Sequence, residues 1–341
     1  MNKRATQADV AREAGLSVTT VSLVLNGREN TRISEEAAAR VREAAERLNY
    51  SPDPTARSLR TGKTRSLAFI SDDVTVTRYA SAMIRGALDA AEERGYTILM
   101  AEVGEHPERL EKVVDSMLER RVDGLLFGLM SARRVDLPAL PRGKRALLVN
   151  GTSAGLPSIL PAEHDAGQAA VRRLLEAGHR RIAFIGRSPR VYDPYLSATI
   201  PQRYAGIDAA LAAAGLRFAD EVEGHEWEPE LGYRGTRRLL ERAASFTAIL
   251  AANDRVAFGA YQALQEGGLR VPDDVAVMSF DDEQLATYLH PALTTMRLPY
   301  REMGSLGVRM LLEGEEPVPD AATLVPMPLV ERESVGPPRE G

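Results

Sequence analysis

A chain of 341 residues exceeds one ordinary domain, and its 44% hydrophobic and 27% charged residues exclude a disordered or fibrous protein. The absence of cysteine excludes disulfides, thiol nucleophiles and thiolate metal sites, and no apolar run nears the roughly 20 residues that span a bilayer, so a cytoplasmic protein without membrane contact is expected. The net charge of −5 is unevenly spread: residues 1–65 sum to +4 and the remainder to −9, so only the first segment suits a polyanion.

That basic segment reads as three short helices. Thr6 and Asp9 have the spacing of a helix start, with Val10, Ala11 and Ala14 as the apolar face and Gly15 as the stop. Ser17 caps a second helix over Val18 to Leu25, in which Val21 and Leu25 face one side while Thr19, Thr20 and Ser22 look elsewhere, before Asn26-Gly27 breaks it. Ser34 caps a third, with Glu35 and Glu36 favouring its positive end and Val41, Ala45 and Leu48 forming its stripe. Two helices joined at Gly15-Leu16-Ser17 fit a helix-turn-helix as well as an ordinary small bundle. Pro52 and Pro54 then forbid helix continuation and mark a linker, followed by one or two possible turns over Thr55 to Arg60.

From Ser66 the pattern alternates between short apolar runs and helical segments. The runs are 67–70, 97–100, 124–127, 146–149, 182–185, 248–251 and 275–279, as expected of parallel strands covered on both faces. Helices stop at Gly95, Gly178, Gly215 and Gly268. Alternation over about 275 residues exceeds one usual sheet and suggests two lobes, with crossings expected at Thr152–His164 and Thr295–Tyr300 and a frayed tail over Gly336–Gly341.

Ligands of open parallel sheets bind at the carboxyl ends of strands. The residues there are polar: Ser71, Asp72 and Asp73 after the first run, Asn150 after the fourth, Asn253 and Asp254 after the sixth, Asp281 and Asp282 after the seventh. Such groups suit hydroxyl pairs, and Tyr79, Tyr192 or Trp227 would meet a sugar's apolar face; equally, Asp and Asn at strand ends cap the next helix. No phosphate-binding loop, nucleophile elbow or HExxH pair occurs, so no catalytic residue, cofactor or metal is expected, and an enzyme such as a sugar kinase or hydrolase lacks its motifs.

The segments TQADVAREAGLSVTTVSLVLNG and ISEEAAARVREAAERLNYSPDPTARSLRTGKT, followed by RRVDGLLF, EAGHRRIAFIG, AANDRVAFGAY, VPDDVAVMSFDD, HPALTTMRLP and LVERES, resemble the lactose-repressor (LacI/GalR) family of bacterial transcription regulators over nearly the whole chain. The resemblance implies an all-α helix-turn-helix head (1–50), a hinge with a short helix (51–65) and an α/β two-lobed periplasmic-binding-protein-like core (66–341). Its first lobe would span about 66–162 and 295–325, its second about 163–294 and 326–341. It implies a homodimer that binds double-stranded operator DNA and is switched by a small effector, a sugar or sugar derivative, with a purine-like metabolite or a purely ligand-binding role as alternatives. Repression of sugar uptake or catabolism genes follows from the same resemblance.

By that resemblance Val18, Thr19 and Ser22 are major-groove readers, Thr6, Thr20 and Asn26 contact the backbone or position helices, and Leu59, with Ala56 alongside, is the minor-groove wedge. In the core, Arg203 matches the effector-clasping arginine, Asn253 and Asp254 the N-D pair, and Asp281 the acid opposite; Asn150 stands where an acid is frequent, and Ser71, Asp73 and Tyr79 fall where members vary with their ligands. Leu23 replaces a frequent arginine and cannot make that residue's bidentate contact to guanine, and Asp53 puts an acid where the hinge often has asparagine.

Overall fold

A computed structural model of the chain describes residues 5–25, 33–50, 58, 62–72, 80–104, 106–242, 245–313 and 318–339, and its contacts cluster into two units, Met1–Arg65 and Ser66–Gly341. In the first unit, α1 (Gln7–Ala14) begins at a reciprocal cap: Asp9 N donates to the Thr6 hydroxyl, and Thr6 N donates to the Asp9 carboxylate at 2.9 Å. Gly15 ends it in the left-handed region at φ 65°. The Ser17 hydroxyl accepts from Thr20 N at 3.1 Å at the start of α2 (Val18–Leu25), and Ser34 caps α3 (Glu35–Arg47). Val10, Val21 and Val41, one from each helix, are fully buried at the centre. With so few apolar residues to share the work, the caps carry a large part of the helix stability. Asn26, the linker prolines, Ala56 and Leu59 lie outside the described residues.

The second unit holds two six-stranded sheets. The first is ordered β11-β5-β4-β3-β1-β2 from β1 (Ser66–Ser71), β2 (Thr97–Glu102), β3 (Gly124–Arg134), β4 (Arg145–Thr152), β5 (Ser158–Pro161) and β11 (Ala322–Val325), all parallel. The second is ordered β12-β10-β9-β8-β6-β7 from β6 (Ile182–Arg187), β7 (Asp220–Glu223), β8 (Ala248–Ala251), β9 (Ala276–Asp281), β10 (Thr294–Arg297) and β12 (Leu329–Val330), with only β12 antiparallel. Each sheet is apolar on both faces. Leu67 and Phe69 point to one core of the first lobe and Ala68 and Ile70 to the other, while Ile182 and Phe184 oppose Ala183 and Ile185 in the second.

Helices cover these faces in pairs: α4 (Ala80–Glu92) with α11 (Tyr300–Glu313) in the first lobe, and α6 (Glu163–Glu176) with α7 (Ile200–Ala213) and α8 (Pro229–Glu241) with α9 (Asp254–Glu266) in the second. The short helices α5 (Leu110–Glu119) and α10 (Gln284–Tyr288) complete the set among the described residues. At the α6/α7 crossing a Cβ on Gly167 would lie 2.3 Å from the Arg203 carbonyl oxygen, and one on Gly206 would lie 1.9 Å from that of His164. The two backbones touch there, which no other residue type permits.

The crossings between lobes depart from expectation in two places. The stretch Thr152–His164 is not wholly irregular, since it carries β5, and the return passage begins at Leu298 because Thr294–Arg297 is a strand of the second sheet. A third passage runs from β11 to β12. The tail is also not frayed up to Arg339: the Ser334 hydroxyl donates to the Val277 carbonyl, and buried His179 donates from Nε2 to the Gly336 carbonyl at 2.8 Å. Burial lowers the His179 pKa, so the ring is a neutral structural link.

Candidate functional site

On the head, Val18 and Thr19 open α2 on its solvent side, Val18 at 47% exposure, and Ser22 follows one turn later, half-buried. A β-branched apolar side chain left in solvent at a helix start does nothing for the core; on a second helix whose Val21 is buried, it makes a face free to enter a groove. Thr6 and Thr20 are engaged in capping α1 and α2, so both position helices.

In the second unit the carboxyl ends of both sheets converge on a cleft of about 400 Å³ between the lobes. The first lobe lines it with Met130, Ser131 and Asn150, the second with Glu163, Arg203 and Asp281. Arg203 rises from the first turn of α7 and meets Glu163 at the start of α6. Its Nε donates to Glu163 Oε2 at 2.6 Å, its Nη2 to Oε1 at 2.8 Å, and its Nη1 to the Ala252 carbonyl at 2.8 Å. The glycine crossing of α6 and α7 brings these two side chains together. Burial works against the guanidinium charge, but Glu163 overcomes it and holds the Arg203 pKa above its usual value. The guanidinium lies 4.2 Å from the centre of the Phe280 ring and 5.9 Å from that of Trp227, whose Nε1 donates to the Gly186 carbonyl.

Asn150, within β4, and Asp281, the last residue of β9, both have left-handed backbone, at φ 61° and 110°. Such positions cost energy for residues other than glycine and cluster at sites where a side chain must be aimed. Asn150 Nδ2 donates to the Leu129 carbonyl at 2.9 Å, and its side chain also bonds buried Tyr300, whose hydroxyl pKa burial raises. Burial pushes the Asp281 carboxyl up to about 8, against the pull of Arg203.

Two expected effector residues do not reach the cleft. Asp254 is fully buried beneath it: Ser279 at 2.5 Å, Thr295 at 2.8 Å and the Glu283 N–H at 2.6 Å occupy its two oxygens, and burial raises its pKa to about 7. It ties β8, β9 and β10 together rather than meeting a ligand. The Ser71 hydroxyl donates to the Gly128 carbonyl at 2.7 Å and borders a separate cavity of about 440 Å³ within the first lobe. Asn253 does line the cleft, with both ends of its amide engaged: Oδ1 accepts from Val256 N, capping α9, and Nδ2 donates to the Trp227 carbonyl. Asp73 and Tyr79 lie outside the described residues, and Tyr192 is 64% exposed.

Glu163 went unrecognised because it falls within Thr152–His164, the stretch read as a crossing between lobes; only the two small residues Gly167 and Gly206, each four or fewer positions from a charged partner, hint at the contact. Glu228 and Arg255 on the cleft wall were missed as well, since surface ion pairs leave no sequence signature. A strap also joins the lobes beside the cleft. Arg134 N donates to the Pro194 carbonyl and Ala198 N to that of Ala132, both at 2.7 Å, and the Tyr195 hydroxyl donates to the Asp136 carboxylate at 3.2 Å.

A three-helix unit with a helix-turn-helix, followed by a two-lobed core with a polar cleft, defines a DNA-binding transcription regulator with a ligand-sensing module. Residues 6–53 match the family model for bacterial regulatory proteins of the lacI family, and residues 171–335 match the periplasmic binding protein-like domain. The ribose operon repressor of Escherichia coli (strain K12) is 32% identical over 314 residues, covering 90% of this chain and 92% of that protein. The HTH-type transcriptional repressor PurR of Erwinia tasmaniensis is 33% identical over 318 residues, covering 91% and 90%. The lac repressor dimer bound to operator and the anti-inducer ONPF superposes with a TM-score of 0.74 at 27% identity, covering 98% of this chain and all of that one. The chain belongs to the lacI family of bacterial regulatory proteins and is a transcriptional repressor of that family. None of the described helices is long and apolar enough to cross a membrane.

Proposed function

We propose that this repressor acts in the cytoplasm as a homodimer on a near-palindromic operator, controls sugar uptake or catabolism genes, and is switched by a sugar or sugar derivative bound in the cleft, without catalysing a reaction. Val18, Thr19 and Ser22 of α2 read bases, while Thr6, Thr20 and Asn26 set the helices against the phosphate backbone. Leu59, beside Ala56, wedges the minor groove. Arg203 and Asp281 hold the effector, Asn150 and Asn253 shape its seat, and Asp73 and Tyr79 are further candidates by the family resemblance alone.

The observation that carries the effector reading is the Arg203–Glu163 pair with Asp281 in the same cleft. Vicinal hydroxyls donate to carboxylates and accept from a guanidinium, so a sugar satisfies both signs at once. The two relatives are equally similar to this chain and carry different names, so the preference for a sugar rests on that side-chain chemistry. Binding titrations on a selected operator duplex, with and without a sugar panel, test it. Leu59→Ala should weaken operator binding about tenfold or more through loss of the wedge while leaving ligand affinity unchanged; unchanged operator affinity would remove Leu59 from the interface.

A further inference from the structure

The cavity of about 440 Å³ that Ser71 borders lies at the carboxyl ends of β1 and β2, against β3. β1 and β3 are neighbours in the first sheet, yet the chain leaves β1 for β2 on one side and β3 for β4 on the other. Crevices at such a reversal are where open parallel sheets take their ligands. Ile70, Val103, Leu110, Phe127, Leu129 and Leu137 form much of the wall. Close-packed interiors leave few voids larger than a water molecule, and this space has the size of a ligand pocket.

The polar groups at its edge are turned to one another. Asp72 accepts from Met130 N at 3.0 Å and from Arg133 Nη1 at 2.6 Å, and the N–H groups of Val103 and Gly104 go to the Ser71 and Asp72 carbonyls. The Arg134 guanidinium lies 5.8 Å from the centre of the Tyr195 ring, and the Tyr195 hydroxyl donates to Asp136. An ionic ligand would have to compete with these pairs, whereas a neutral ring has only to cover hydrocarbon. Apolar cavities lined by leucine, isoleucine and phenylalanine take up aromatic compounds on that account.

The strap divides this space from the cleft between the lobes. Arg133, Arg134 and Tyr195 border the cavity, while Ser131, Ala132, Leu196 and Ser197 border the cleft, and the backbone bonds from Arg134 to Pro194 and from Ala198 to Ala132 run along the boundary. Tyr195 is 48% exposed, which leaves ring surface for an occupant to cover. We propose that the cavity is a second ligand site, for an uncharged compound with an aromatic or alicyclic ring. The site stands whatever the cleft binds.

The test is calorimetric titration of the full-length protein with indole, benzyl alcohol and cyclohexanol, and with benzoate and benzylammonium as charged counterparts. At least one neutral probe should bind, and both ions should bind at least about tenfold more weakly than the best neutral ring. Leu137→Trp, which fills the cavity from a half-buried position, should weaken that neutral probe about tenfold or more with the Tm little changed. Tyr195→Ala, on the exposed strap, should weaken it about threefold or more, and decides the matter if Leu137→Trp does not fold. A folded Leu137→Trp that binds the probe like the wild type would put the probe elsewhere and overturn the proposal. Equal binding of an ion, or binding by none of the neutral probes, would overturn it as well, and each of these failures leaves the sugar titrations of the cleft unaffected.

Discussion

The two lobes of the core share a strand order and differ in what they bring to the cleft. The second lobe supplies the charged groups, Glu163, Arg203, Glu228, Arg255 and Asp281. The first supplies Asn150, the end of β3 and backbone, and its own ion pair, Arg133 with Asp72 at 2.6 Å, stands outside the cleft. On the proposed reading, one lobe recognises and the other covers. A common doubly wound frame therefore does not dictate a shared role; the difference lies in what stands at the strand ends and helix starts.

The largest effect should come from the recognising lobe. Arg203→Ala leaves Glu163 buried and unpaired, which costs about 3–5 kcal/mol, and abolishes the effector response. Glu163→Leu with Arg203→Met, two apolar residues of similar size, should recover most of that stability in denaturant unfolding and none of the response. If the double variant still releases operator at wild-type effector concentrations, the pair is structural only and the division between lobes fails.

Next in size is Gly206→Ala. Its methyl would meet the His164 carbonyl, forcing α6 and α7 apart; a loss of about 3 kcal/mol or more is expected in the same unfolding experiment. Because the shift also separates Glu163 from Arg203, effector affinity should fall with stability. The equivalent change at Gly304, opposite the Met83 carbonyl in the α4/α11 crossing, should cost similar stability and less affinity.

A smaller effect concerns pH. Asp281 and Asp254 hold pKa values of about 8 and 7 against 3.8 for the ordinary group, each raised chiefly by burial. Between about pH 4 and 8 the folded core keeps protons that the unfolded chain has lost, so raising pH favours unfolding. The Tm should fall from pH 5.5 to 8.5, and Asp281→Asn should flatten the fall. A Tm that rises over that window would contradict the buried-acid description of the second lobe.

The smallest effect tests the covering role. Tyr195→Phe removes the strap's bond to Asp136. Effector affinity should drop about threefold, with unfolding stability nearly unchanged, as fits one partly exposed hydrogen bond to a charged group. No change in affinity would mean that the strap does not hold the lobes in their ligand-binding relation.

Much of the fold was legible in sequence because period and punctuation report backbone directly. The capped starts at Thr6, Ser17 and Ser34 and the left-handed stops at Gly95, Gly178, Gly215 and Gly268 lie where the residue types indicate. The strands that escaped, β5, β7, β10, β11 and β12, have two to four residues, and β7, Asp220–Glu223, is mostly charged, so neither length nor apolar pattern marks them. In the site, Asn150, Asn253 and Asp281 were legible as polar residues near strand ends and Arg203 by family resemblance alone, and all four border the cleft. Asp254 shows the limit of that logic. Adjacent residues at a strand end face opposite ways, and which one meets solvent depends on Ser279 and Thr295 from neighbouring strands, which sequence spacing does not reveal.

The most direct test of an effector-gated repressor is one titration series. Duplexes are selected from a randomised pool with the full-length protein, and binding of the winner is measured with and without a sugar panel, for the wild type and for the Glu163→Leu/Arg203→Met variant. The expected result is a near-palindromic duplex bound with a steep salt dependence by both proteins, and a sugar-dependent change in affinity for the wild type alone. Failure to enrich any duplex, or an equal sugar response in the variant, would contradict it.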